Sequence, residues 1–404
     1  MAALSLLVGV VALILLLPTW SDLLSITRVL TRRRASTRAP EPDAPPRLLF
    51  LVPAHNEEVL IRACVRSLTA LRYPRERCSL VVIADNCSDR TAEIARSAGA
   101  RCFERADPTK PGKPHAIAWA LEQLPFAQYD AVVIVDADTM VDANFATELV
   151  RAGGPAIAQV AVQGYFDVSN RTESPITRMA AVLATATHRF AYRLKSYAGI
   201  NVPLVGNGMA IGRDVLARHG WHAFSICEDW EMYALLTVKA VRILGAPGAR
   251  IYSQEAQSLR QSSTQRERWT AGRLTVLARL GPRVLASSAT IPQKLDVIAE
   301  LSAPGPAVHL GLAVVLGGLS LALALPGAPL LVMALGVTLI RPVVYTCAAL
   351  AVQPDPLRTA AAFAFLPLYT AWRVGSALRA LRMVGGGPWV RTERHQHSEA
   401  QMTE

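Results

Sequence analysis

Ala131-Val132-Val133-Ile134-Val135-Asp136-Ala137-Asp138 is a run of five apolar residues that stops on two acids. A short apolar run bounded in this way reads as a buried strand. On an extended segment residues i and i+2 point to one face, so Asp136 and Asp138 aim together off the strand's end. Two carboxylates held like this can share one hard cation, Mg2+ or Mn2+, with a ligand hydroxyl or phosphate. By itself an acid-x-acid triplet is more often a solvated turn. Its weight comes from its place after an apolar strand, where α/β sheets bind ligands.

The same pattern appears upstream. Leu48–Val52 and Leu80–Ala84 are strand-like, and amphipathic stretches near Glu58–Leu71, Thr91–Ala98 and Lys113–Leu124 alternate with them. That alternation predicts βαβ units and a parallel sheet. Acids again follow the strands: Glu57 comes after the first and Asp85 after the second. The chain has no Walker A sequence, no G-x-G-x-x-G and no G-x-S-x-G, which removes the P-loop, dinucleotide and common hydrolase readings. Downstream, Glu228-Asp229 opens a helical pattern through Trp230–Val238. Acids at a helix start ordinarily serve the helix dipole. The chemical alternative is a general base that takes a proton from an acceptor hydroxyl. Gln265-Arg266-Glu267-Arg268-Trp269 reads as an interfacial helix, or as a site where Arg268 meets a leaving diphosphate and Trp269 stacks on a sugar.

Around this core the apolar residues are unevenly placed. Of 404 residues, 51% are hydrophobic and 18% charged, with 42 Lys and Arg against 31 Asp and Glu, a net +11. No formal charge occurs in Met1–Ser21 or in Ser302–Ile340, which excludes a fully soluble protein. Ala2–Leu17 begins an apolar span with no charge ahead of it and Arg28, Arg32, Arg33, Arg34 and Arg38 behind it. Those flanks argue against a cleaved leader and place the N-terminus outside, with the next domain in the cytosol. Pro306–Leu325 and Ala328–Val352 are long enough to cross, and Thr359–Trp372 suits the interface. Arg379, Arg382, Arg391 and Arg394 put the tail on the cytosolic side. Arg341 falls inside a span, where it either faces a partner or snorkels. Ile176–Tyr197 carries an apolar stripe with Arg178, Arg189, Arg193 and Lys195 around it, on an anionic membrane surface or packed on the domain. The six cysteines lack C-x-x-C spacing and read as reduced thiols. Because much of the excess charge lies beside membrane segments, nucleic acid is not an expected partner.

Together the motifs resemble the membrane-bound family-2 glycosyltransferases, the group of cellulose, hyaluronan, chitin-oligosaccharide and poly-N-acetylglucosamine synthases. V-P-A-H-N-E-E (Val52–Glu58) is similar to that family's opening nucleotide loop, and A-D-N-C-S-D (Ala84–Asp89) to its D-D/N-x-S-x-D segment. Gly112-Lys113 resembles the G-K element, D-A-D the metal motif, and Gly206-Asn207-Gly208 the acceptor-side loop. C-E-D (Cys227–Asp229) looks like T-E-D, Q-R-E-R-W is the Q-x-x-R-W signature, and Trp389-Val390-Arg391-Thr392 with Arg394 resembles a W-x-x-T-x-R element. The resemblance covers about Leu48–Trp269. It implies an α/β fold of the GT-A type, with a mostly parallel nucleotide-sugar-binding sheet flanked by transmembrane helices. By the same resemblance Pro53, Ala54, Glu57 and Asp85 hold the nucleotide and Lys113 approaches the diphosphate. Asp136 and Asp138 would bind ribose and a Mg2+ or Mn2+ ion, and Asp229, beside Glu228, would be the base. Gly206, Asn207, Gln265, Arg268 and Trp269 would meet diphosphate and acceptor. Pro114 stands where glycine is common, Cys227 replaces the usual threonine, and Thr270 takes a frequent acid's place; none removes a group that does chemistry.

The expected organisation is a transmembrane helix over 1–30, a basic linker over 31–46 and a cytosolic GT-A domain over 47–280. An interfacial helix over 281–300, a membrane region over 301–378 and a polar tail over 379–404 follow. The expected activity is inverting, metal-dependent transfer from a nucleotide sugar, UDP-linked, to a growing polysaccharide or oligosaccharide at the plasma membrane. The alternatives are single transfer to a lipid acceptor and, in another class, a non-catalytic nucleotide-binding scaffold. Expected partners are the donor, a glycan or lipid-linked acceptor, membrane lipids, and a homo-oligomer or export partner.

Overall fold

All seven residues of β1 (Leu48–Ala54) are buried, as a central strand covered on both faces requires. The alternation of its side chains sorts the core into two layers. Leu49 and Leu51 pack with Ala116, Ile117, Met232 and Val276, while Leu48, Phe50 and Val52 pack with Ile61, Val65 and Phe145. Truncating Leu49, Leu51 or Phe50 to alanine would cost about 2–5 kcal/mol. The computed structural model describes residues 1–31 and 44–385. Arg32, Arg33, Arg34, Arg38, most of the basic linker and the Trp389–Arg394 element therefore lie outside the described residues.

The further strands are β2 (Cys78–Asp85), β3 (Arg101–Arg105), β4 (Ala131–Ile134), β5 (Thr139–Val141), β6 (Ala161–Val168), β7 (Met209–Gly212) and β8 (Ile243–Ser253). They form one sheet in the order β3-β2-β1-β4-β7-β6-β8-β5. β3, β2, β1 and β4 are mutually parallel, as the alternating pattern predicts. Beyond β4 the sheet is mixed: β7 runs antiparallel to β4 and β6, β8 parallel to β6, and β5 antiparallel to β8. The chain leaves β1 toward β2 and returns on the other side as β4. The crevice between β1 and β4 is thus a topological switch point, the usual place for a ligand in such sheets.

The helices of the first half are α1 (Ala2–Thr31), α2 (Ile61–Thr69), α3 (Thr91–Ser97), α4 (Lys113–Gln123), α5 (Phe145–Gly153), α6 (Pro175–Ala184) and α7 (Tyr192–Ala198). Those of the second are α8 (Arg213–His219), α9 (Glu228–Val238), α10 (Leu259–Ala286), α11 (Ile291–Ser302), α12 (Pro306–Ala322), α13 (Ala328–Thr338), α14 (Ile340–Ala351), α15 (Pro356–Ala361) and α16 (Leu366–Leu381). α10 runs six residues past the expected domain end at 280. Among the described residues, α1 and the 24-residue run Ala328–Ala351 are long and apolar enough to cross a membrane. α11 and α12 meet at 78° and together have the length and apolarity of a broken span or a re-entrant loop, while α12 alone, with 17 residues, covers most of Pro306–Leu325. Arg341 faces a partner: its Nε lies 2.7 Å from Asp22 Oδ2 on α1, and its guanidinium covers the Tyr345 ring at 5.0 Å.

A π-helical turn, Thr185–Ala191, joins α6 to α7, so the predicted Ile176–Tyr197 helix is nearly continuous. It packs on β6 through Ala181 and Ala184 and on α14 through Val182, Ala186 and Ala349. Of the basic residues around the stripe, Lys195 takes the domain-packed alternative. That residue lies with its side chain 1% exposed, between Asp296 and Glu300, and does not reach a lipid surface.

Candidate active site

The loops after β1 and β2 stitch each other together. Glu57 N donates to Thr91 Oγ1 at 2.7 Å, Glu58 N to Asp89 Oδ2 at 3.1 Å, and Ser88 N to Asn56 Oδ1 at 2.8 Å. Asn56 and Asn86 adopt left-handed backbone, φ 55° and 49°, a conformation that asparagine tolerates better than most residues. Pro53 and Ala54 close β1 opposite Ile83 and Ala84. Asp85 is buried beneath these loops. Its Oδ1 lies 2.5 Å from Arg105 Nη1, and its Oδ2 accepts from Gly112 N at 3.0 Å. Arg105, at the end of β3, is a site residue that sequence reasoning missed. Its only signal was a cation at the same sheet end as the acids.

Gly112 caps the start of α4 and hands the chain to Lys113, whose ammonium is the hub of the cleft. It lies 2.6 Å from Asp136 Oδ1 and 3.2 Å from Glu228 Oε1, and donates to Gly206 O at 2.5 Å. Burial alone would lower its proton affinity, but the Asp136 and Glu228 carboxylates outweigh burial and raise it. Asp136 is itself pushed up by burial, against the pull of Lys113, and the neighbouring Asp138 pushes in the same direction.

The Gly206–Gly208 loop reaches this hub because β7 pairs antiparallel with β4, which sets Met209 opposite Ile134. Both glycines are left-handed, φ 79° and 63°. Asn207, expected on the acceptor side, is buried behind the D-A-D turn. Its Oδ1 accepts from Asp136 N at 3.1 Å, and its Nδ2 donates to Thr139 Oγ1 at 2.7 Å. Gln163 holds the loop from the other side, donating to Asn207 O at 2.9 Å and accepting from Val205 N at 3.0 Å. Sequence reasoning missed that contact too, since nothing marks a glutamine inside β6 as a loop clamp.

Glu228 and Asp229 start α9 and face the same hub. Trp230 N donates to Asp229 Oδ1 at 2.8 Å, and a Cβ built on Gly206 would stand 3.1 Å from Asp229 Oδ2. Burial, with Glu228 next to it, pushes the Asp229 carboxyl up to about 7, in the range where a general base is effective at neutral pH. The preceding Cys227 thiol points at the carbonyls of Arg268 and Trp269, 3.9 Å from each, and a Cβ on Gly272 would collide with it. The thiol in place of threonine therefore seats α9 against α10.

The Q-R-E-R-W residues occupy the adjoining turns of α10. Arg266 pairs with Glu255 at 3.0 Å and covers Trp269 at 5.1 Å; Glu267 pairs with Arg379 of α16 at 2.8 Å. Arg268 lines a neighbouring cavity with Ser225, Thr275 and Arg279. The structure thus brings Lys113, Asp136, Gly206, Glu228 and Asp229 into one cleft and keeps Gln265, Arg268 and Trp269 on the helix beside it. Among the described residues no group of three His, Cys, Asp or Glu could hold a metal unaided. Two carboxylates, Asp136 and Asp138, suit an ion such as Mg2+ or Mn2+ that completes its shell with water and substrate phosphates.

A family model described as "Glycosyltransferase like family 2" matches residues 45–272. The chain is 28% identical over 243 residues to the probable glycosyltransferase YdaM of Bacillus subtilis, covering 58% of this chain and 57% of that protein. It is 28% identical over 196 residues to the beta-monoglucosyldiacylglycerol synthase of Trichormus variabilis, covering 46% of this chain and 40% of the other. The chain therefore spans about half the length of these curated relatives. Among solved structures, a mannosyltransferase of Pyrobaculum calidifontis in complex with GDP-Man and Mn2+ superposes with TM-score 0.60 over 94% of this chain and 98% of that one, at 19% identity. That likeness is one of fold, and it extends beyond the sheet into the flanking helices.

Proposed function

Because the chain belongs to glycosyltransferase family 2, we propose that it moves a sugar from a nucleotide-sugar donor to an acceptor presented at a membrane surface, with inversion at the anomeric carbon. The observation that carries the reading is the cleft at the β1/β4 switch point, where Lys113, Asp136 and Asp229 converge. The β1 and β2 loops, with Asp85 and Arg105, would hold the base of the nucleotide, for which uracil remains the expectation. Asp136 and Asp138 would hold Mg2+ or Mn2+, which supplies charge neutralisation at the leaving diphosphate. Lys113 would exchange part of its pairing with Asp136 for the diphosphate. Asp229 would accept the acceptor hydroxyl's proton while that oxygen attacks from the face opposite the diphosphate. One base and one alignment suffice for a single displacement.

The scarcity of spans among the described residues, two or three, favours a lipid-borne acceptor over threading of a long polymer. α1, α11–α16 and the orientation with the catalytic domain in the cytosol would bring the cleft to that lipid. The test incubates the full chain in lipid vesicles with labelled UDP- and GDP-sugars and Mg2+ or Mn2+. A single lipid-soluble product supports the reading, a ladder of products supports polymer synthesis, and donor binding without turnover in any combination supports the scaffold. Excess chelator should abolish transfer; undiminished transfer would remove the metal from the mechanism.

A further inference from the structure

Away from the cleft, one group of charges is enclosed by protein. Lys195 of α7 lies 2.6 Å from Asp296 Oδ1 and 2.5 Å from Glu300 Oε1, with side-chain exposures of 1%, 0% and 17%. Ser21 of α1 donates to Asp296 Oδ1 at 2.6 Å, and Tyr233 of α9 donates to Asp296 Oδ2 at 2.8 Å. A single carboxylate on α11 therefore joins α1, α7 and α9. Apolar side chains of similar volume are often as stabilising as a buried ion pair, so stability does not by itself account for this cluster. What it supplies is one allowed arrangement of four helices.

The helix that matters among them is α9. Tyr233 is four residues after Asp229, so the two lie one turn apart on the same side. A second grip acts on the same turn. Arg273 of α10 covers Trp230 at 5.4 Å and donates to Ala303 O, just past α11, at 2.5 Å, while Trp230 meets the Tyr233 ring edge-on at 6.1 Å. The first turns of α9 are thus tied to α10 and α11 on one side and open to the cleft on the other.

We propose that Tyr233 and Asp296 are positioning residues for Asp229. Their hydrogen bond, with Lys195 balancing the charge and Ser21 fixing the carboxylate to the first apolar helix, sets how far the Asp229 carboxylate reaches toward the acceptor hydroxyl. This rests on the transferase reading above and adds to it the part that aligns the base. Misplacing a reacting group by about 1 Å can cost about a hundredfold in rate, so a loosened α9 shows in turnover before it shows in donor affinity.

The experiment compares the full chain with Tyr233→Phe, which removes one oxygen, and Asp296→Asn, which keeps the shape and removes the charge. The expected result for Tyr233→Phe is a fall in kcat of about tenfold or more, donor Kd unchanged within about twofold, and a displaced acid limb of the pH profile. Amide hydrogen exchange along Glu228–Val238 should also quicken. A merely structural role would lower the yield of folded protein and leave kcat per folded molecule and the acid limb where they were. A parent-like kcat or unchanged exchange in folded Tyr233→Phe overturns the proposal; should Asp296→Asn fail to fold, Tyr233→Phe decides alone. A parent chain that neither binds nor turns over nucleotide sugars would instead end the transferase reading, and the exchange measurement would still decide the tie.

Discussion

Lys113 and Lys195 are each clasped by two carboxylates at similar distances: Asp136 at 2.6 Å and Glu228 at 3.2 Å for the first, Asp296 at 2.6 Å and Glu300 at 2.5 Å for the second. In both, burial opposes the charge and the neighbouring acids outweigh it, so both ammonium groups stay protonated. They differ in access. The Lys113 side chain is 22% exposed at the carboxyl ends of parallel strands, whereas that of Lys195 is 1% exposed among four helices. A pair at an open cleft can trade a partner for an incoming anion; an enclosed pair can only hold its neighbours in place. The same ion-pair chemistry thus serves ligand exchange in one region and alignment in the other.

Asp229→Asn tests the open region most severely. Loss of a general base should cut kcat about 10²- to 10⁴-fold while donor titration still reports binding. The substitution also changes stability in a stated direction. The carboxyl of Asp229 titrates at about 7 in the folded chain against about 3.9 unfolded, so its ionisation opposes folding. The stability this group contributes is complete below pH about 3.9 and is lost as the pH rises through about 7. The asparagine variant should therefore lose less Tm between pH 5 and pH 8 than the parent, as calorimetry at the two pH values would show.

Exchanging each lysine for methionine separates the two regions. Lys113→Met should lower kcat/KM about a hundredfold with a parent-like Tm, because it removes a preformed donor to the leaving group. Lys195→Met should cost about 3–5 kcal/mol of stability by stranding two buried acids. The reverse pattern would undo the contrast drawn here. A smaller effect follows in the pH profile. In the parent, kcat/KM should rise with pH through about 7 as Asp229 ionises. Lys113 favours the ionised form of Asp229, so Lys113→Met should move that limb to higher pH.

The two regions were unequally legible in the sequence. β1, β2 and β4 announce themselves as apolar runs closed by acids, and the cleft residues Lys113, Asp136 and Asp229 sit in motifs that can be read locally. β3 hides because Arg101-Cys-Phe-Glu-Arg105 is an edge strand with charged residues at both ends. β8 hides because Gly245, Pro247 and Gly248 interrupt it at the register shift opposite Gly164–Tyr165. The enclosed cluster is invisible for another reason: Ser21 and Asp296 are 275 residues apart, and no local pattern marks either. The stripe around Lys195 left a lipid surface and the domain equally open, because amphipathic periodicity gives a side chain's face and not the partner that covers it. Arg341 offered a choice between partner and lipid, and only the fold supplied Asp22.

The mildest test concerns two glycines of the same backbone conformation, one in the cleft and one in the open turn between α12 and α13. Gly206 has φ 79° and Gly327 φ 75°, so alanine at either position carries a left-handed strain of about 1–2 kcal/mol. Around Gly327 nothing lies within 4 Å of an added Cβ, whereas at Gly206 the new methyl would meet Asp229 Oδ2 at 3.1 Å and Lys113 Nζ at 3.4 Å. Strain alone predicts equal losses of Tm and no change in rate. If Gly206 is glycine because base and ammonium close over it, Gly206→Ala should also reduce kcat about tenfold, while Gly327→Ala leaves turnover per folded molecule unchanged. Equal turnover in the two variants would mean that the cleft tolerates displacement of its base. The exchangeable character of the cleft would then rest on Lys113 alone.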